Sequence, residues 1–118
     1  MTTVRAAISQ TTWTGDKASM LDKHEQFARD AADQGAQVMC FQELFYGPYF
    51  GITQDQKYYR FAEPADGPIV QRFAALAKEL GIVLVLPIYE EEQTGVYYNT
   101  TVTVDADGTI LEIGRAHV

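Results

Sequence analysis

Apolar and polar positions along the chain predict an α/β succession. Val4, Ala6 and Ile8 alternate with Arg5, Ala7 and Ser9, the period of a short strand with at least one side covered. Residues 16–34 then set Met20, Leu21, His24, Phe27, Ala28 and Ala31 at helical spacing, and Gly35 follows where a left-handed C-terminal cap is expected. Directly afterwards Val38, Met39, Cys40 and Phe41 form an unbroken apolar run, as in a parallel strand buried on both faces. The opening therefore reads β-α-β.

Residues 42–51 combine glycines and a proline with four aromatics, a packed loop after the second strand. Residues 54–62 read as a short helix. Pro64-Ala65-Asp66-Gly67-Pro68 is a turn that leaves proline at the first position of a helix. That helix carries Ile69, Val70, Phe73, Ala74, Ala77 and Leu80 on one stripe and ends at Gly81. Residues 82–86 are a β-branched, wholly apolar strand, and residues 97–104 alternate as a further one. An Asp-Gly turn at Asp107-Gly108 predicts a hairpin to residues 109–111. The fold class is α/β, with antiparallel pairing gained after the third strand.

Composition narrows the function. Of the 118 residues 47% are hydrophobic, 12% aromatic and 21% charged, which suits one small domain or part of one. A net charge of -7 disfavours nucleic acid and anionic membranes as partners. One cysteine, Cys40, leaves no internal disulfide, and no signal peptide or membrane-length apolar run is visible, so a cytoplasmic location is expected.

Glu43 is the candidate chemical group. It follows the carboxyl end of a strand expected to be buried, where ligands bind in open α/β sheets. Phe41, Leu44, Phe45 and Tyr46 around it predict partial desolvation and a carboxyl suited to proton transfer. The alternative is a loop-entry glutamate that caps backbone amides. Cys40, inside an apolar strand, is read as a packed small hydrophobe rather than a nucleophile. His24, in the helix stripe, is read as packed. Asp105-Ala106-Asp107-Gly108 fails as a calcium loop because the flanking ligand positions are Thr103 and Gly114. Glu90-Glu91-Glu92 is read as a solvated loop.

The string Val38-Met39-Cys40-Phe41-Gln42-Glu43-Leu44-Phe45-Tyr46-Gly47-Pro48-Tyr49-Phe50 resembles the first signature of the nitrilase, or carbon-nitrogen hydrolase, superfamily. It is most similar to the branch of the N-carbamoylputrescine amidases and β-ureidopropionases. Ala62-Glu63-Pro64, Gly67-Pro68, Leu76-Ala77-Lys78-Glu79-Leu80-Gly81, Leu86-Pro87-Ile88-Tyr89-Glu90 and Tyr98-Asn99-Thr100 follow in family order, so the resemblance covers residues 4–111.

The resemblance implies the N-terminal part of an α-β-β-α nitrilase-type sandwich and a Glu-Lys-Cys mechanism, with Glu43 as general base and proton acceptor. It implies a small-molecule N-carbamoyl substrate, N-carbamoylputrescine first and β-ureidopropionate second. No cofactor and no metal are implied, and the full-length enzyme is expected to be a homo-oligomer. The family lysine, in a Tyr-Arg-Lys-x-His-type stretch, should fall at position 116, where this chain has Ala116, and the family cysteine lies beyond residue 118. The chain alone is therefore expected to be inactive. The alternative is a non-catalytic nitrilase-like binding or scaffold protein. A signalling receiver domain is disfavoured, since Ser9-Gln10 gives no acidic pair after the first strand.

Residues 1–111 are thus read as part of the hydrolase domain and 112–118 as a non-native tail. Glu112-Ile113-Gly114-Arg115-Ala116-His117-Val118 can be encoded as GAG ATC GGA AGA GCA CAC GTC with TGA next. That string resembles the adapter of short-read sequencing libraries. Strands for only part of a sandwich would leave apolar surface and open edges, which predicts aggregation of the chain expressed alone.

Overall fold

A computed structural model describes residues 2–48 and 56–117. Eight elements run in order: β1 (Ala6–Ile8), α1 (Lys17–Asp33), β2 (Val38–Cys40), a 3₁₀ helix (Gln56–Phe61), α2 (Pro68–Leu80), β3 (Val83–Gln93), β4 (Val96–Val104) and β5 (Ile110–His117). The strands form one sheet in the order β1-β2-β3-β4-β5, the first three parallel and the last two antiparallel to their neighbours. This is the predicted succession. Part of the predicted loop, 49–51, and the start of the predicted short helix, 54–55, lie outside the described residues.

Local chemistry accounts for the element ends. Asp16 caps α1 by accepting from the Ser19 amide at 2.8 Å, which satisfies one orphan donor of the first turn. Pro68 starts α2, and Gly81, at φ 68°, closes it with its amide on the Ala77 carbonyl. In the β4–β5 turn the Asp105 and Asp107 carboxylates accept from the amides of Ala106 and Thr109, while Gly108 takes φ 88°. The aspartates of the rejected calcium loop are occupied by their own turn.

Both long helices lie on one face of the sheet. Register places Ala7, Met39, Leu84 and Val104 in one row across it, and Met39, Leu84, Leu86, Ile88, Val102 and Val104 are all buried beneath the helices with Phe73, Val70 and Met20. The other face carries no long helix, although Tyr89 at one end of it is buried against Tyr59 and Tyr97. Its row is Ile8, Cys40, Val85, Thr103 and Glu112, and Ile8 is 78% exposed. Two expectations change as a result. The strands at 38–41 and 82–86 are covered on one face only, and Cys40 is half-buried on the open face instead of lying in the core.

The acidic run is also corrected. β3 continues through Glu90-Glu91-Glu92 because β4 pairs with it as far as Gln93, so these residues are strand and not loop. Glu90 points to the helix side and is 2% exposed. It accepts from the Thr100 hydroxyl at 2.8 Å and from Arg115 Nε and Nη2 at 2.6 and 3.0 Å. The Arg115 guanidinium, and secondarily the Thr100 hydroxyl, hold its carboxyl below the usual carboxylate range. Among the described residues no helix is long and apolar enough to cross a membrane.

Candidate functional site

The segment after β2 must turn sharply, and its side chains divide between two jobs. Phe41, Phe45 and Tyr46 go inward and pack edge to face with one another, with Phe73 and with His24. Gln42 clamps the turn sideways: its amide bonds the Thr11 backbone in both directions, at 2.6 and 3.0 Å, while its own N–H donates to the Ser9 hydroxyl. The Tyr46 hydroxyl accepts from the Tyr89 amide at 2.8 Å and donates to the Tyr89 carbonyl at 3.0 Å, tying the turn to β3. Burial pushes that phenol far above its usual range, so it stays a donor.

Leu44 completes the turn with φ 50°, the one positive φ at a non-glycine among the described residues. Such a conformation costs of order 1–3 kcal/mol and persists only where the surroundings impose it. Leu44 is buried, so its side chain supplies part of that constraint. The strain sits beside Glu43 and sends the Glu43 side chain to the open face.

There Glu43 lines a concavity of about 560 Å³ with Pro87, Asn99, Thr101, Gly114, Arg115 and Ala116. Glu43 is exposed in this chain, so the expected desolvation by its aromatic neighbours is not present. Those rings are on the other side of the sheet. The Asn99 amide donates to Glu43 Oε1 at 2.5 Å. Asn99 pairs in register with Tyr89 on β3 and with Ala116 on β5. Position 116, where the resemblance expects lysine, is therefore the direct neighbour of the residue that holds Glu43.

Other candidates lie elsewhere. Cys40 does not line this concavity, and desolvation pushes its thiol up, away from nucleophilic use. His24 is fully buried on the helix side, its Nδ1 on the Met20 carbonyl and its Nε2 on the Ser9 hydroxyl, and burial lowers its affinity for a proton. It packs, as expected. Among the described residues no group of three or more His, Cys, Asp or Glu is placed to hold a metal ion. Asn99 was missed as a site residue, although Tyr98-Asn99-Thr100 was recognised as a family string. The available signal was an amide at an open-face position of a strand otherwise rich in β-branched residues.

The profile of the carbon-nitrogen hydrolase family matches residues 5–117, and the chain belongs to that family. The fold agrees: a carbon-nitrogen hydrolase from Helicobacter pylori G27 superposes with a TM-score of 0.82 at 22% identity, over 95% of this chain and 39% of that one. Among curated relatives, an N-carbamoylputrescine amidase of Solanum lycopersicum is 36% identical over 95% of this chain. An omega-amidase of Homo sapiens is 34% identical over 94%. The chain spans 37% of the length of the first and 39% of the second.

Proposed function

We propose that the complete protein is a thiol amidohydrolase that cleaves an N-carbamoyl amine or amino acid, with Glu43 as its general base. The observation that carries this reading is the shared concavity on the open face, where Glu43 and position 116 flank Asn99. A lysine at 116 would project beside the Glu43 carboxylate, the arrangement a Glu-Lys-Cys site requires.

The chemistry is the one the family resemblance implies. Glu43 takes the proton of a cysteine thiol, and the thiolate attacks the carbamoyl or amide carbon. The lysine's charge stabilises the oxyanion of the tetrahedral intermediate. The amine or ammonia then departs, taking a proton from the protonated Glu43. Water, deprotonated by the same carboxylate, attacks the thioester carbon; the C–S bond breaks and the sulfur takes the proton back from Glu43.

N-carbamoylputrescine is the first substrate in this reading, supported by the amidase relatives and by the aromatic loop after Glu43; β-ureidopropionate is second. The 118 residues alone are inactive in this reading, because Ala116 replaces the lysine. Residues 112–118 are proposed to be a non-native tail. Pairing of β5 with β4 as far as His117 is compatible with that, since the ladder is made by the backbone.

Ala116 also favours a second reading, a non-catalytic nitrilase-like binding protein. Amplification of the locus from source DNA separates the two. A lysine codon at 116 and a cysteine further on are expected, and a native stop after Val118 would overturn the enzyme. In the recovered protein Glu43→Gln, nearly isosteric, should abolish release of ammonia from N-carbamoylputrescine; retained turnover would remove Glu43 from its role.

A further inference from the structure

We infer that Asn99 is the positioning residue of Glu43: its side-chain amide fixes one carboxylate oxygen and leaves the other directed at the substrate space. The inference deepens the reading of Glu43 as general base and rests on it for its relevance to the reaction.

The geometry supplies the argument. Glu43 is borne by a turn, whereas Asn99 sits in the middle of β4, paired on both sides, to Tyr89 and to Ala116. A strand interior is the stiffest place from which to aim an exposed carboxylate, and a site built on such elements is held more closely than one built on loops. The contact, 2.5 Å from Asn99 Nδ2 to Glu43 Oε1, is the hydrogen bond that Glu43 makes with the described residues, and it leaves Oε2 without one. A carboxylate held by one oxygen keeps the other for a proton.

The residue type fits the task. An amide is a neutral donor, so it orients the carboxylate without binding it as an ion pair. Arginine or lysine at this position would hold the carboxylate too tightly as an ion pair, and aspartate would repel it. The amide also shares the open face with position 116, so one side chain sets the spacing between the proposed base and the residue that neighbours it across the β4–β5 ladder. Gln42, Tyr46 and Leu44 fix the backbone of the turn, but none of them touches the Glu43 carboxylate.

The test uses the complete protein with glutamate labelled at the side-chain carbon, the Glu43 signal being assigned from its loss in Glu43→Gln. Asn99→Ala should move the Glu43 side-chain carbon resonance, because the donor to Oε1 is lost. Asn99→Asp, close in shape, should move it further, because it sets a like charge against the carboxylate. Turnover should fall roughly tenfold or more in kcat with KM little changed. A Glu43 resonance unmoved in both variants would overturn the inference, since an asparagine that merely supports β4 would not shift it. The resonance reads the contact whether or not the protein turns substrate over. Failure of the base assignment is registered separately, by retained hydrolysis in Glu43→Gln.

Discussion

The two faces of the sheet obey different rules. On the helix side Met39, Leu84, Leu86, Ile88, Val102 and Val104 are buried to within a few per cent, and each sits in a row that continues from strand to strand. On the other side the same strands present Ile8, Cys40, Val85, Asn99, Thr101 and Thr103, which are half-buried or exposed, while Pro87 and Tyr89 on that face are buried. The second face mixes apolar residues with a polar patch of Asn99, Thr101 and Thr103. The difference is the cover, and all the proposed chemistry lies on the side that lacks it. A stable helix-backed face thus presents a polar site toward a second layer, and the site becomes dry only when that layer is present.

The largest expected effects test this contrast in the complete protein. Leu84→Ala should cost about 2–5 kcal/mol in denaturant unfolding, because a fully buried side chain leaves a cavity between two helices and the sheet. Val85→Ala, one residue along and on the other face, should cost about 1–2 kcal/mol if a second layer covers it. A Val85→Ala variant as stable as the parent would show that this face stays open in the complete protein and would end the proposed contrast between a bare and a covered state.

A smaller loss is expected from the helix-side ion pair, read in the 118-residue chain that carries Arg115. Thr100→Val removes the hydroxyl that donates to Glu90 Oε1, a hydrogen bond to a buried carboxylate, and should cost about 1.5–3 kcal/mol. The carboxyl of Glu90 is held below its usual range, so its contribution is complete above the unfolded carboxylate pKa and is lost as pH falls through the folded one. Glu90→Gln should therefore flatten the fall of stability below about pH 4.5. Urea titrations at pH 7 and pH 4 read both effects, and equal slopes for parent and variant would dismiss the pair as a pH-sensitive element.

Smaller again is the response of His24, buried among Phe27, Phe41 and Phe45. Burial depresses its proton affinity, so the unfolded chain binds the proton first. Stability is complete above the unfolded histidine pKa of about 6.5 and declines as pH falls through the folded value. Replacement by a residue that does not titrate, His24→Gln, should reduce the pH dependence below about pH 6.5 even if it lowers stability overall. An unchanged slope would place the sensitive group elsewhere.

The helix-covered half was legible because its signals are local. Asp16, Pro68, Gly81 and the Asp107-Gly108 turn each mark an element end through their own backbone chemistry, and the stripe of Ile69, Val70, Phe73, Ala74 and Ala77 repeats at the helical period. What strand pairing decides was not legible, on either face. Glu90 reads as solvated in a run of three acids, and only the β3–β4 register, with Thr100 and Arg115 brought alongside, makes it an interior residue. Glu43 was found through its position after β2 and through the family string. Its exposure was misjudged because Phe41, Phe45 and Tyr46 are near it in sequence but on the opposite side of the sheet. Asn99, 56 positions from Glu43, meets it only through the sheet.

The smallest effect falls on the edge of the open face. Ile8 belongs to β1, an outer strand of the sheet, and projects 78% of its surface into solvent. Exposed apolar edges promote pairing between chains, and a charge on such an edge opposes it. Ile8→Lys in the 118-residue chain should therefore raise the fraction recovered in the supernatant after expression. Far-ultraviolet circular dichroism should stay unchanged, because no contact of the helix-side core involves Ile8. In the complete protein the same change should lower the melting temperature if the second layer reaches β1, since it would then bury an unpaired ammonium. Equal supernatant fractions for Ile8→Lys and the parent chain would mean that the bare face does not drive association. An unchanged melting temperature in the complete protein would limit the second layer to the part of the sheet from β2 to β5.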